Sequence, residues 1–256
     1  MANMSSLARA LVNLRPVVEA DGVIDLVETA WLLRISRVYA EKGDTVAVAL
    51  TNLLHRVRAD GVVTPEESRE ILDMLERIDS GAYDLSSYVK VIPDFPKKGV
   101  MFRDVTGILE NADGFRSAID LMEKSLDGEN VGLIVAPESR GFIFGAALAD
   151  RVGAAFAPVR KPGKLPRETV SEKYDLEYGQ AELHLHKDAV IPGERVVIVD
   201  DLLATGGTAL AAAHLVERLG GQVVRMIFPI ELEGFEAREK LLKDYKVVSL
   251  IRYPGK

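Results

Sequence analysis

Cysteine is absent from the 256 residues. That excludes disulfides, thiol nucleophiles and thiolate metal sites, and it suits a reducing compartment such as the cytoplasm. Long apolar runs are also missing. The apolar stretches are short and broken by Gly, Pro or charge, well under the ~18 residues that cross a bilayer, so no membrane partner is expected. Met1 to Pro16 holds no basic cluster ahead of an apolar block, and no secretory signal is expected. Positive charge is in deficit: 32 Lys and Arg stand against 39 Asp and Glu, a net charge of −7. Phosphate backbones are bound by clustered Lys and Arg, so the balance argues against a nucleic-acid partner. What remains is 48% hydrophobic and 28% charged, a globular mix long enough for one large domain or two ordinary ones.

Two parts differ in character. Residues 1–84 hold no β-branched run, and apolar residues recur there at helical spacing, as in Leu26, Trp31, Leu32, Ile35 and Val38, or Ile71, Leu72, Leu75 and Ile78. They carry 9 Lys and Arg against 14 Asp and Glu, a net of −5 that leaves −2 for residues 85–256. Ala20-Asp21-Gly22-Val23 recurs as Ala59-Asp60-Gly61-Val62, and at the same offset Asp25 matches Thr64 and Glu28 matches Glu67. A capping residue three positions before a Glu opens a helix, with Pro65 suited to the first helical position. The expectation is two helical hairpins in one small accessory domain. The repeat also matches the second half of an EF-hand loop and resembles TerB-like helical domains. The leading ligand positions, however, hold Val17 and Glu19 in one copy and Arg56 and Arg58 in the other, which is a poor oxygen set for Ca2+.

Residues 80–90 form the expected join, and beyond it the pattern alternates. Strands are predicted at 131–136, 154–159, 195–199, 223–228 and 247–251, and helices at 115–126, 142–152, 208–219 and 235–242. Alternation of this kind implies an α/β domain over 85–256, a parallel sheet with helices on both faces. Ligands of such sheets bind beyond the carboxyl ends of the strands.

The clearest chemistry lies in Arg195-Val196-Val197-Ile198-Val199-Asp200-Asp201-Leu202-Leu203-Ala204-Thr205-Gly206-Gly207-Thr208. An apolar strand ends in two acids, a small turn follows, and a helix begins. Gly206 and Gly207 permit close approach of a ligand, and successive amides at a helix start form an anion cradle. Thr205 and Thr208 add hydroxyls. Two carboxylates beside a phosphate site would repel a bare polyphosphate, but they suit sugar hydroxyls or Mg2+. A ribose phosphate fits, with its phosphate on Ala204 to Thr208 and its hydroxyls on Asp200 and Asp201. The segment has neither the Gly-Lys-Ser/Thr of a Walker loop nor a Gly-x-Gly-x-x-Gly.

This segment resembles the phosphoribosyl-pyrophosphate signature of the type I phosphoribosyltransferases, and four others resemble the adenine branch of that family, over about Tyr88 to Pro254. Ile92 to Pro96 with Gly99 to Thr106 resembles the purine pocket. It implies that Phe102 stacks on the base while main chain around Met101 and Arg103 reads its edge. Ala136 to Phe142 resembles the pyrophosphate loop, implying contacts from Glu138, Ser139 and Arg140 and, as often in the family, a non-proline cis peptide. Val159 to Pro166 sets Arg160, Lys161 and Lys164 around a turn, and Lys164 is the implied pyrophosphate ligand. Tyr174-Asp175-Leu176-Glu177-Tyr178-Gly179, in a polar stretch without helical period, resembles the catalytic loop. There Glu177 is the implied acid or base at the purine nitrogens, and Tyr178 packs near pyrophosphate.

The resemblance implies a type I phosphoribosyltransferase fold and a pentosyltransferase that joins adenine to 5-phosphoribosyl-1-pyrophosphate, giving AMP and pyrophosphate in purine salvage. It also implies a homodimer, and Mg2+ held mainly through substrate near Asp200 and Asp201. Two alternatives compete with it. One is a regulator that senses phosphoribosyl pyrophosphate, with residues 1–84 on DNA, which their acidity opposes. The other is an enzyme for hypoxanthine, guanine or xanthine, which the Phe102-Arg103-Asp104 segment opposes. His184 and His186 alternate on a predicted strand and read as structural, since no further ligand cluster accompanies them for zinc.

Overall fold

The computed structural model describes residues 6–11, 18, 22–126, 128–175 and 180–255. It divides into two compact units, residues 1–90 with 106–128, and residues 91–105 with 129–256.

The first unit is helical: α1 (Ser6–Leu11), α2 (Leu26–Ala40), α3 (Thr45–Val57), α4 (Pro65–Asp79), α5 (Thr106–Leu109) and α6 (Ala112–Lys124). Both expected capping boxes form. The Asp25 and Thr64 side chains accept from the Glu28 and Glu67 amides, and each Glu side chain returns to the cap's amide, with Pro65 in the first turn. The α4 stripe buries Ile71, Met74, Leu75 and Ile78 as the spacing predicts. The α2 stripe does not follow the prediction. Leu32 is buried, but Leu26, Trp31 and Val38 are exposed, and the face turned inward carries Thr29 and Ser36. Those hydroxyls are satisfied locally: Thr29 donates to Leu26 O at 2.7 Å and Ser36 to Leu33 O at 3.2 Å, while Thr51 donates to Ser36 Oγ at 2.8 Å. Polar residues with partners inside the helix pair can take the core face, which a count of apolar positions cannot see.

The EF-hand positions are occupied otherwise. Arg56 pairs with Glu70 at 2.8 Å, and Arg58 donates to Leu26 O and Thr29 Oγ1. Ala20, Asp21, Val17 and Glu19 lie outside the described residues. No group of three or more potential metal-ligating side chains occurs among the described residues.

Helix α6 falls in this unit. Asn52 donates to Lys124 O at 3.0 Å, and Arg77 meets Asp120 at 2.9 Å and the buried Ser117 hydroxyl at 2.8 Å.

The second unit is α/β. Its elements are the ribbon β1 (Lys90–Pro93) and β2 (Met101–Asp104), then β3 (Leu133–Pro137), α7 (Gly141–Val152), β4 (Ala155–Val159), the hairpin β5 (Thr169–Asp175) and β6 (Gln180–His186), β7 (Arg195–Val199), β8 (Leu202–Leu203), α8 (Gly207–Arg218), β9 (Gln222–Leu232), α9 (Ala237–Lys240) and β10 (Val247–Tyr253). The main sheet runs β10-β9-β7-β3-β4, with β8 alongside β9, and all its pairs are parallel. β3 and β7 are neighbours, but the chain leaves β3 for β4 on the opposite side. The sheet's topological switch point therefore lies between β3 and β7.

Alternating side chains divide the two faces. Leu133, Val135, Val196 and Ile198 join α8 in the core, together with Leu183 and Leu185 of the hairpin. On the other face α7 lies so close that a Cβ on Gly145 would sit 2.9 Å from Ala136 Cβ and 3.0 Å from the Phe156 ring.

One further expectation is corrected, and one stretch gains an element. The predicted helix 235–242 is a 3-10 turn, Glu233–Phe235, followed by only the four residues of α9; Glu236 at φ 56° interrupts it. The polar stretch before Glu177 contains strand β5, paired antiparallel from Thr169–His186 to Asp175–Gln180.

Candidate active site

Both loops that leave the switch point carry predicted site residues. β7 delivers Asp200 and Asp201 into the turn that opens α8. Gly206 holds φ 86°, a left-handed conformation that a side chain would strain, and it caps α8 with no side-chain hydrogen bond. Asp200, Leu202, Leu203, Ala204, Thr205, Gly206, Thr208, Ala209 and Phe228 line one solvent-open cleft of about 310 Å³. The predicted turn residues other than Gly207 thus share one cleft, while Gly207 lines a neighbouring cavity beside Tyr174 and His214.

β3 delivers Glu138, Ser139 and Arg140 to the start of α7, whose cap, Arg140, likewise makes no side-chain hydrogen bond to the helix. The Glu138–Ser139 peptide is cis. Arg140 Nε meets Asp201 Oδ2 at 2.6 Å, so an ion pair bridges the two loops across the switch point. They approach so closely that a Cβ on Gly141 would lie 2.9 Å from Asp200 Oδ1 and 3.1 Å from Val199 O.

The acids are not equivalent. Burial, then the neighbouring Asp201 charge, push the Asp200 carboxyl well above the usual carboxylate range, while its Oδ1 accepts from the Asp201 amide at 2.9 Å. Glu138 behaves oppositely. Burial pulls its pKa upward, but Arg160 Nε at 2.7 Å and the Lys161 amide at 3.2 Å outweigh that and hold it below the ordinary value. Glu138 therefore serves Arg160 and the Lys161 main chain, rather than standing open toward an anion. Lys164 sits in the turn that follows, its carbonyl accepting from Arg160 at 3.3 Å and its side chain exposed.

The predicted base strip forms the β1–β2 ribbon. At its turn Asp94 is left-handed, and its Oδ1 accepts from the Gly99 amide at 2.6 Å. Phe102 meets Phe95 edge-on, ring centres 5.0 Å apart and planes at 73°, and leaves part of its surface exposed. Met101 is exposed, and the Arg103 guanidinium lies over the Tyr253 ring. Glu177 and Tyr178 lie outside the described residues. The hairpin that precedes them reaches the cradle: Thr208 Oγ1 donates to the Tyr174 hydroxyl at 3.2 Å. His214 and Arg218 of α8 both bond the Glu172 carboxylate, His214 at 2.9 Å.

Sequence reasoning passed over Tyr174, Arg160 as the partner of Glu138, Gly141 as a loop contact and Tyr253. Only Gly141 had a local signal, a glycine directly after a strand-end loop. The others depend on partners more than twenty positions away. His184 and His186 stand on β6 as read. His184 bonds Thr169 through Nδ1 at 2.9 Å and lies 3.3 Å from Glu182, and His186 is buried.

The donor set at residues 200–208, two adjacent carboxylates beside a run of main-chain amides at a helix start, would suit a divalent cation shared with a phosphate. Mg2+ commonly takes one or two carboxylates and fills its remaining positions from water and substrate oxygens.

Residues 104–253 match the Phosphoribosyl transferase domain family. The adenine phosphoribosyltransferase of Lachnoclostridium phytofermentans is 54% identical over 172 residues, 67% of this chain and 98% of that protein. That of Agathobacter rectalis is 56% identical over the same length and shares. Among solved structures, adenine phosphoribosyltransferase from Thermoanaerobacter pseudethanolicus superposes with a TM-score of 0.65 at 53% identity, covering 67% of this chain and 99% of that one. The Saccharomyces cerevisiae enzyme, complexed with adenine and an imino-altritol bisphosphate, gives 0.63 at 39% identity, covering 67% and 99%.

Proposed function

The chain belongs to the adenine phosphoribosyltransferase family, and from that premise we propose how its residues divide the work. The reaction is adenine plus 5-phosphoribosyl-1-pyrophosphate to AMP plus pyrophosphate, a pentosyl transfer of purine salvage. The C1′–O bond to pyrophosphate breaks, the C1′–N9 bond forms, and the ribosyl carbon gains oxocarbenium character between them.

The observation that carries the reading is the cleft that Asp200 shares with Ala204, Thr205, Gly206 and Thr208. In this assignment the amides of residues 204–208 and the Thr205 and Thr208 hydroxyls hold the 5′-phosphate, and Asp200 and Asp201 take the ribose hydroxyls. Arg140 and Lys164 bind the pyrophosphate whose charge grows as it leaves. Arg140 is already oriented by Asp201 and has only to turn its free guanidinium edge to an anion. Glu138 acts indirectly, by fixing Arg160 and the Lys161 main chain, while the Ser139 segment lines the pyrophosphate. Phe102 stacks on adenine, and main chain at Met101 and Arg103 reads its edge, because an incorrect base would leave buried groups unpaired. Glu177 exchanges a proton at the purine ring nitrogens, and Tyr178 packs against the pyrophosphate. Mg2+, held by substrate oxygens near Asp200 and Asp201, supplies charge neutralisation at the leaving group.

A homodimer in the cytoplasm completes the proposal. The family resemblance supports the first, and the absence of cysteine together with the absence, among the described residues, of any helix long and apolar enough to cross a membrane supports the second. Light scattering on the purified chain would give twice 28.0 kDa.

The decisive assay offers adenine, hypoxanthine, guanine and xanthine in turn with phosphoribosyl pyrophosphate and Mg2+. Product is expected with adenine, and turnover of another base in preference would overturn the assignment. Glu177→Gln is expected to lower kcat more than it raises the KM for adenine; an unchanged kcat would remove Glu177 from the mechanism.

A further inference from the structure

β1 and β2 form a ribbon of their own, apart from the main sheet. All four residues of β1 and Met101 of β2 are exposed. A two-stranded ribbon is marginal by itself. Yet an edge that reads a flat base by paired hydrogen bonds must be fixed to within about half an ångström. The ribbon therefore needs a tether to something rigid.

Side chains alternate along a strand, so Phe102 and Arg103 leave β2 on opposite faces. Phe102 turns to Phe95. Arg103 turns to the last strand, its guanidinium carbon 4.3 Å from the centre of the Tyr253 ring. Both residues are half-buried, which strengthens a cation–π contact over one in open water. Tyr253 is itself held firmly. It pairs with Leu232 at the end of β10, and two residues on, the Gly255 carbonyl accepts from the Gly234 amide at 3.1 Å. A Cβ on Gly234 would lie 2.5 Å from the Gly255 carbonyl carbon, so the tail lies directly against the turn after β9. The ring is thus fixed to the main sheet before it and to that turn after it. Its contact reaches the ribbon from the face that Phe102 does not use.

We propose that Tyr253 is a positioning residue for purine recognition: its ring holds the Arg103 side chain and so sets the main-chain edge of residues 101–103 against the base. This rests on the base-site reading given above. Arginine suits the role because its planar group stacks on a ring face, which the lysine ammonium does less well.

Steady-state kinetics on the full chain test it. Tyr253→Leu is expected to raise the KM for adenine about fivefold, the scale of one such contact. It should lower discrimination against hypoxanthine by a similar factor and leave the KM for phosphoribosyl pyrophosphate unchanged. Tyr253→Phe, which keeps the ring, restores the wild-type KM. Arg103→Met reproduces the Leu variant, and the double variant is no worse than either single one. Phe102→Leu runs alongside. If it raises the adenine KM while Tyr253→Leu does not, the tether is overturned and the base site stands. If Phe102→Leu has no effect, the base site itself is misplaced and the proposal goes with it. Equal rises in both substrates' KM for Tyr253→Leu, or a Phe variant that behaves as the Leu variant, also overturn it.

Discussion

Arg140 and Gly141 show how much of the site is decided by single side chains. Arg140 bridges the β3 and β7 loops, its Nε 2.6 Å from Asp201 Oδ2. Arg140→Met keeps the length and removes the donors. A hydrogen bond to a charged partner contributes about 1.5–3 kcal/mol, so kcat/KM for phosphoribosyl pyrophosphate should fall at least about tenfold. Steady-state assays at saturating adenine would read it, and an unchanged kcat/KM would remove Arg140 from pyrophosphate binding. Gly141→Ala adds one methyl group, 2.9 Å from Asp200 Oδ1 and 3.1 Å from Val199 O. The second contact is main chain and cannot swing away, so the two loops must part. A loss of about tenfold in kcat/KM is expected, because displacements near 1 Å cost rates of that order or more. The same substitution at Gly153, where a Cβ would meet nothing within 4 Å, strains φ 69° but leaves the loops in place. It should cost stability and not activity.

Among the elements, α9 is the least able to stand alone. Four residues make one turn, far below the length at which a helix persists unaided. It is held by Arg238, whose guanidinium bonds Glu231 of β9 at 2.7 and 2.8 Å, Ser249 Oγ of β10 at 2.9 Å and Val247 O at 2.5 Å. Burial pulls the Glu231 pKa up, but Arg238 and Ser249 hold it below its ordinary value. A depressed folded pKa contributes stability above the unfolded pKa of about 4.3, and that contribution is lost as pH falls through the folded value. Glu231→Gln should therefore lower stability by about 1–3 kcal/mol at pH 7, since it removes the charged partner of the half-buried Arg238, which keeps its bonds to Val247 O and Ser249 Oγ. The gap to the wild type should narrow below about pH 4. Thermal unfolding at several pH values checks both, and a gap independent of pH would show that Glu231 is not ionised in the native state. Ala237 and Leu242 also pack against Gly206, so the same variant should weaken AMP binding.

At the scale of the whole molecule, residues beyond the relatives' length are tied into the helical unit through α6. Arg77 bonds Asp120 and Ser117 and lies 4.9 Å from the Tyr83 ring centre, and Asn52 and Glu70 reach Lys124. Arg77→Ala should cost about 1–3 kcal/mol, the scale of hydrogen bonds to a charged group, here those to Asp120 and the buried Ser117 hydroxyl. Deleting residues 1–84 should destabilise the fold by more than that and change the number of subunits in the assembly. An unchanged subunit number, stability and kinetics would together show the extension to be inert. Much of this organisation was legible beforehand. The capping boxes at Asp25 and Thr64 follow from four residues each, and Arg195 to Thr208 spells strand, acids, turn and helix locally. What could not be read was long-range. Thr29 and Ser36 take the core side of α2 because Leu26, Leu33 and Thr51 meet their hydroxyls. The short α9 exists because Glu231 waits on another strand. Tyr253 means nothing until β10 brings it to Arg103.

Most of the longer helices end their exposed amides on a side chain. Asp25, Asp44, Thr64 and Asn111 all accept from the first turn that follows them. The two that spring from the switch point do not: α7 begins at Arg140 and α8 at Gly206 without such an acceptor. The usual cap is thus withheld at the two places assigned above to the pyrophosphate and the 5′-phosphate, whose oxygens would stand in for the acceptor at the start of α7 and α8 respectively. Substrate would then knit the framework as well as react within it. Amide hydrogens at residues 207–209 should exchange with deuterium markedly more slowly once AMP is present.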